Sequence, residues 1–139
     1  AYGEVVQHEG GRVLAGVRKA ADSPELEDSS ELVLSGGYLA GGGLSNTTLV
    51  ALVTNAQLDK AACQRTARMA SAGIARAIRP AFTPADGDIV FCVSSGEHQA
   101  GQVAVGAVAA EMTAQAIRRA VISADGLGAI PAHKDVYGE

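Results

Sequence analysis

A mixed α/β fold is predicted by two observations. A β-branched, apolar run from Thr47 to Asn55 gives way to helical spacing from Lys60 to about Ile78. The same order then recurs, with a strand from Asp88 to Val93 and a second long helix from about Gln102 to Ser123. Strand, helix, strand, helix is the sequence pattern of a parallel α/β unit. At 139 residues the chain has the length of one ordinary domain, and no internal repeat divides it.

The elements follow from local chemistry. Glu4 to Gln7 and Arg12 to Arg18 read as two short strands turned by Glu9-Gly10-Gly11. Ala21 to Asn46 changes character: Asp22, Glu25, Glu27, Asp28, Ser29 and Ser30 are followed by Gly36-Gly37 and Gly41-Gly42-Gly43, so a solvent-exposed linker is expected. Leu49, Val50, Leu52 and Val53 leave Thr47 to Asn55 without polar alternation, which predicts a strand covered on both faces. The first long helix has Asp59 as its expected cap. Its inner stripe is small (Ala62, Thr66, Met69, Ala70, Gly73, Ile74, Ala77), while Lys60, Arg65, Arg68 and Arg76 mark the outer face. Arg79-Pro80 ends it, and Ala81 to Gly87 forms a loop into the next strand. The second helix is apolar on nearly every side in its first half, so it should be enclosed by the sheet and by another subunit. An irregular tail is expected from Ala124 onward.

Composition narrows the function. Apolar residues make up 47% but aromatics only 4%, so the core must be built from Ala, Val, Ile and Leu. A net charge of −4 provides no basic surface for a phosphate backbone, which argues against nucleic acid. The apolar run from Val103 to Ala110 is far short of the roughly 20 residues that cross a bilayer. No membrane partner and a cytoplasmic location are therefore expected. Ala1-Tyr2-Gly3-Glu4-Val5-Val6 already resembles a strand in progress, so the chain is expected to begin inside a larger protein. Cys63 and Cys92 are expected to be free thiols.

Two places could carry chemistry. Thr47 stands at the start of a strand just after the Gly-rich segment. As a structural residue it belongs to a turn into that strand. If instead the Asn46–Thr47 bond breaks, Thr47 gains an α-amine of pKa about 7.7–8.0 within reach of its own hydroxyl, and one residue supplies nucleophile and base. Asp86 and Asp88 flank Gly87. They make either a solvated Asp-Gly turn or a carboxylate pair that converges and shares a proton. Asp88, at the start of a strand, should be the more firmly positioned and the more sensitive to loss of its charge. Ser94-Ser95 reads as a polar strand end, and Glu111 as a structural charge needing a partner such as Arg118. His8, His98 and His133 have no ligand-like spacing, so no metal is expected. Gly41-Gly42-Gly43 precedes a strand, not a helix, which argues against a phosphate cradle.

Five pieces of the chain, taken in order, are similar to one known family: Asn46-Thr47-Thr48; Val53-Thr54-Asn55-Ala56; Gly73-Ile74-Ala75-Arg76-Ala77-Ile78-Arg79-Pro80; Asp86-Gly87-Asp88; and Ala129-Ile130-Pro131-Ala132-His133-Lys134-Asp135. The sequence resembles the β-chain of the L-aminopeptidase/D-esterase (DmpA-like) family, which includes β-peptidyl aminopeptidases and nylon-oligomer hydrolases. The resemblance covers about two thirds of the chain. It implies a four-layer α/β/β/α sandwich of which this chain is the C-terminal part, cleavage at Asn46–Thr47, and Thr47 as nucleophile. From the nylon-oligomer hydrolases it carries the partners of that nucleophile onto Asp86 and Asp88; other members use Ser and Glu near this loop. The family's Lys and Asn helpers lie in the α-part, the oxyanion Asn falling just before Ala1. Phe82 stands where relatives commonly carry His, and Ala70-Ser71-Ala72 replaces a more polar stretch.

The resemblance thus implies residues 1–46 as the end of an α-chain and 47–139 as a β-chain. Together they would form a self-processing amidohydrolase or aminopeptidase acting on small peptides, amides or esters through a Thr acyl-enzyme. It would need no cofactor, would pair with the α-chain of its own precursor, and would assemble as a homo-oligomer of αβ units. Two alternatives stand beside it: an acyltransferase of the ornithine acetyltransferase type, and an unprocessed α/β binding module.

Overall fold

The computed structural model describes residues 2–8, 11–20, 23–37 and 47–138. Two strands, β1 (Glu4–Val6) and β2 (Val13–Ala15), are followed by a short helix, α1 (Ser29–Leu34). Then come β3 (Leu49–Ala56), the long helix α2 (Lys60–Ala77), β4 (Ile78–Arg79), β5 (Ile89–His98), the long helix α3 (Gln102–Ile122) and α4 (His133–Tyr137).

β3 and β5 pair in parallel, in the register Leu49 with Ile89 through Thr54 with Ser94. A parallel pair needs a crossover of a dozen residues or more, and α2 supplies it. Asp59 caps α2 as expected, its Oδ1 accepting from the Ala62 N–H at 2.7 Å. Ala62, Thr66, Ala70, Gly73, Ile74 and Ala77 form the buried stripe, while Met69 is half-buried. α3 lies on α2 across glycines: a Cβ on Gly73 would stand 2.2 Å from the Ala110 carbonyl oxygen, and one on Gly106 2.3 Å from Met69 Sδ. The core closes around Ile74, Ala77, Ile78 and Ala114, with Val50 and Val90 reaching in from the sheet and Ile117 from α3.

The sheet is covered on one face only. Val50, Leu52, Val90 and Cys92 are half-buried, but Leu49, Val53, Phe91 and Val93 on the other face are 54–79% exposed. The expectation of cover on both faces is not met among the described residues, because α2 and α3 pack against each other on one side and no described layer lies opposite. α3 likewise presents Val103, Val108 and Met112 outward, so its apolar first half is not enclosed by this chain.

β1 joins β2 and β4 in a separate antiparallel sheet. Glu4 is fully buried there, Oε2 accepting from the Ser29 N–H at 2.8 Å and Oε1 from Arg79 Nη2 at 3.0 Å. One carboxylate thus ties β1 to the start of α1 and to β4. The stretch expected to be linker therefore contains a turn and a half of helix, capped by Asp28, which accepts from the Ser30 and Glu31 N–H groups. The expected tail also closes with a helix. Asp135 accepts from the Ala132 N–H at 2.8 Å, and buried His133 donates through Nδ1 to the Leu14 carbonyl at 2.7 Å. Its Nε2 is then the acceptor facing Arg12, 3.3 Å away, and the Arg12 guanidinium stacks over Tyr137. Neither short helix has the length from which a sequence period can be read.

Glycine inside an exposed helix is normally about 0.5–1 kcal/mol worse than alanine. At Gly73 packing should reverse the sign. Gly73→Ala is expected to destabilise the protein by about 1–3 kcal/mol, the usual cost of overpacking, with a lowered midpoint in denaturant unfolding. A stabilised variant would show that α2 and α3 do not approach as closely as described.

Candidate active site

Thr47 lies two residues ahead of β3, and the β3–β5 register carried back two steps sets it opposite Gly87. The approach is close. A Cβ on Gly87 would stand 2.6 Å from Thr47 Oγ1 and 3.6 Å from its Cβ and Cγ2. Only glycine leaves room for the hydroxyl here, so the small residue between the two aspartates is the floor on which Thr47 rests.

One step along, Thr48 and Asp88 are paired from both directions. The Thr48 N–H donates to Asp88 Oδ1 at 2.7 Å, and the Ile89 N–H donates to the Thr48 carbonyl at 3.0 Å. Asp88 Oδ2 accepts from the Phe82 N–H at 3.2 Å. Partial burial works against the charge on Asp88, but hydrogen bonds, those donated by the Thr48 and Phe82 amides among them, outweigh it. Its carboxyl is held below the ordinary value. That is the opposite of a carboxyl raised by a like-charged neighbour.

Asp86 is held separately. Its Oδ2 accepts from the Thr83 N–H at 2.9 Å and from Thr83 Oγ1 at 2.8 Å, and its own N–H returns to the Thr83 carbonyl at 2.9 Å. The second oxygen, Oδ1, is buried with no hydrogen-bond partner among the described residues. Thr83 was not singled out from the sequence, although a hydroxyl residue three positions before an Asp, with Pro between, is a turn signal. Phe82 is the one non-glycine residue described with a positive φ, 56°. A bulky side chain in that region costs roughly 1–3 kcal/mol and persists only where the surroundings enforce it.

The structure thus brings Thr47, Asp86 and Asp88 to one loop, and Asn46 lies outside the described residues. Other candidates go elsewhere. Ser94 Oγ donates to the Ala56 carbonyl and accepts from the Leu58 N–H, closing the end of β3. Glu111 is paired with Arg76 at 3.7 Å and with Gln115 at 2.9 Å, not with Arg118, which donates to the Val6 and Arg76 carbonyls. The thiols of Cys63 and Cys92 are free; burial, then the Cys63 thiol, pushes the Cys92 thiol up, away from thiolate chemistry. A groove of about 580 Å³ between β3 and α3, lined by residues such as Leu52, Val105 and Met112, includes none of the three site residues. Among the described residues no helix is long and apolar enough to cross a membrane.

The profile of peptidase family S58 matches residues 4–134. This chain belongs to peptidase family S58. Proteins named as uncharacterized aminopeptidases are similar to it: one from Mycobacterium tuberculosis is 38% identical over 107 residues, and one from Mycobacterium leprae 39% identical over 107 residues. Each alignment covers 66% of this chain, and 31% and 30% of the respective relative. The chain therefore spans just under a third of the length of the S58 relatives it matches.

Because the Asp88 carboxyl sits below its ordinary 3.8, folding favours its ionised form. That contribution is complete well above 3.8 and is lost as pH falls through the lower folded-state value. Asp88→Asn, which sets an amide NH₂ against an N–H donor, should cost about 1 kcal/mol at neutral pH. The gap from wild type should narrow below about pH 4 in denaturant titrations. A gap independent of pH would mean that the carboxylate does not hold the two amides.

Proposed function

We propose that this chain carries the nucleophile of a self-processing peptidase, with residues 1–46 ending one chain of the cleaved precursor and 47–139 forming the other. Thr47 is the nucleophile and, once freed, its own base; Asp86 is its proton-handling partner and Asp88 a positioning residue. The observation that carries this reading is the orphaned Asp86 Oδ1. A buried carboxylate oxygen without a donor is costly, and natural folds rarely leave one. It lies one residue from the glycine on which the Thr47 hydroxyl rests. Breaking the Asn46–Thr47 bond creates a new donor nearby, the α-ammonium of Thr47.

In processing, Thr47 Oγ attacks the carbonyl carbon of Asn46. The C–N bond breaks as the C–O bond forms, the hydroxyl proton passes to the departing nitrogen, and an ester remains. Water hydrolyses that ester, leaving the Asn46 carboxylate and a free Thr47. In turnover the neutral amine takes the hydroxyl proton as Oγ attacks a substrate amide or ester. The amine or alcohol leaves, and water releases the acyl group. The aminopeptidase names of the relatives support peptide or amide substrates with a free amino end. The bare face of β3 and β5 supports a second sheet lying against it, supplied by the remainder of the protein, as a four-layer α/β/β/α sandwich requires.

N-terminal sequencing of the full-length protein should yield Thr-Thr-Leu-Val-Ala alongside the original terminus, and Thr47→Ala should stay intact. A folded wild type that remains uncleaved on long incubation would sink the reading. Asp86→Asn should slow both processing and turnover by roughly 10²–10⁴-fold, as lost acid–base participation does. Asp88→Asn should act mainly through stability. The reverse ranking would transfer the proton-handling role to Asp88.

A further inference from the structure

Phe82 holds an unfavourable backbone conformation beside the Thr47 loop. Its φ of 56° is one that glycine adopts freely and a bulky side chain rarely does. A loop that needed only the turn would be served better by glycine. The conformation is enforced by Asp88, whose Oδ2 accepts from the Phe82 N–H at 3.2 Å while Oδ1 accepts from the Thr48 N–H at 2.7 Å. Two amides sharing one carboxylate lie on the order of 5 Å apart, so Phe82 is fixed relative to the residue after the nucleophile. The next bonds brace the same loop: Thr83 to Asp86, and Gly87 under the Thr47 hydroxyl. Phe82 is 46% exposed and absent from the packed core. A rigidly placed, half-exposed aromatic with an energetically awkward backbone is a recognition group, because its side chain must be worth more than the conformation it imposes.

We propose that the Phe82 ring is the apolar wall that selects the acyl part of the substrate attacked by Thr47, favouring an apolar side chain next to the scissile carbonyl. This rests on the assignment of Thr47 as nucleophile. The ring binds and does not touch the reacting bond, so its loss should raise KM for apolar substrates and leave kcat nearly intact. Substrates without a side chain should be indifferent to it.

The test uses the full-length, processed protein, wild type, Phe82→Ala and Phe82→Gly, with glycine and leucine p-nitroanilides. Glycine suits the left-handed conformation, so Phe82→Gly should fold at least as well as wild type and keeps the experiment interpretable. The expected result is a fall in kcat/KM for the leucine substrate of about 10- to 100-fold, carried by KM, with the glycine substrate changed by less than about 3-fold. Equal losses on both substrates, or no loss on either, would overturn the proposal. A binding measurement separates this from the nucleophile assignment. In ligand-observed NMR, leucine amide methyls should receive saturation from the protein, and Phe82→Ala should remove it; an unchanged signal in Phe82→Ala would also overturn the proposal. Thr47→Ala that still turns over would remove the nucleophile assignment while leaving the binding result to stand or fall on its own.

Discussion

The parallel register of β3 and β5 is the constraint from which the site follows. With Leu49 opposite Ile89, each residue from Leu49 to Thr54 faces the one forty positions later. Carried back beyond the strands, the same offset sets Thr48 against Asp88 and Thr47 against Gly87, and the contacts found there are those that the offset requires. A slip of one residue would turn every side chain of β3 to the opposite face and put Thr47 against an aspartate. The hydroxyl would then meet a side chain in place of a bare backbone. The glycine between two acids is thus part of the register.

Holding that register falls to α2, which must return the chain from the end of β3 to the start of β5 while packing against β5 and α3. Its stripe of Ala, Thr and Gly allows this. Large side chains at Ala70 or Gly73 would lift α3 away and open the core around Ile74. The same economy of side-chain volume leaves both helices on one side, and the other face of the sheet bare. Leu49, Val53, Phe91 and Val93 are left exposed on that face.

Much of this was legible in the sequence. The long helices, the Asp59 cap, the two strands and their helical crossover follow from period and capping chemistry, whereas Thr47 and the Asp86–Asp88 pair read as two separate places that only the family resemblance joined. Which faces of the strands are covered was not legible: Leu49 to Val53 is apolar at every position, and that pattern describes a strand buried in a complete protein whether or not the covering layer belongs to the same chain. α1 and α4 are too short to show a period and depend on contacts with Glu4 and with the Leu14 carbonyl, distant groups that no local window contains. The left-handed backbone at Phe82 contradicts the local preference of a bulky residue, so only the Asp88 contact, six positions on, explains it.

The two aspartates also show why similar residues in one motif come to differ. Flanking the same glycine, they meet different donors: Asp88 the Thr48 and Phe82 amides, Asp86 the amide and hydroxyl of Thr83. Both oxygens of Asp88 accept from backbone amides, Oδ1 from Thr48 and Oδ2 from Phe82. Asp86 is half used: Thr83 occupies one oxygen and nothing described occupies the other. In a stable fold that vacancy would be a defect. In the proposed mechanism it is matched by a positive charge that does not exist until the Asn46–Thr47 bond is cut, so the cleaved state is stabilised relative to the intact one by the oxygen that receives the nucleophile's ammonium. Processing and turnover then draw on one preorganised charge, and the strain that precedes cleavage lies in an unsatisfied carboxylate and not in a distorted strand.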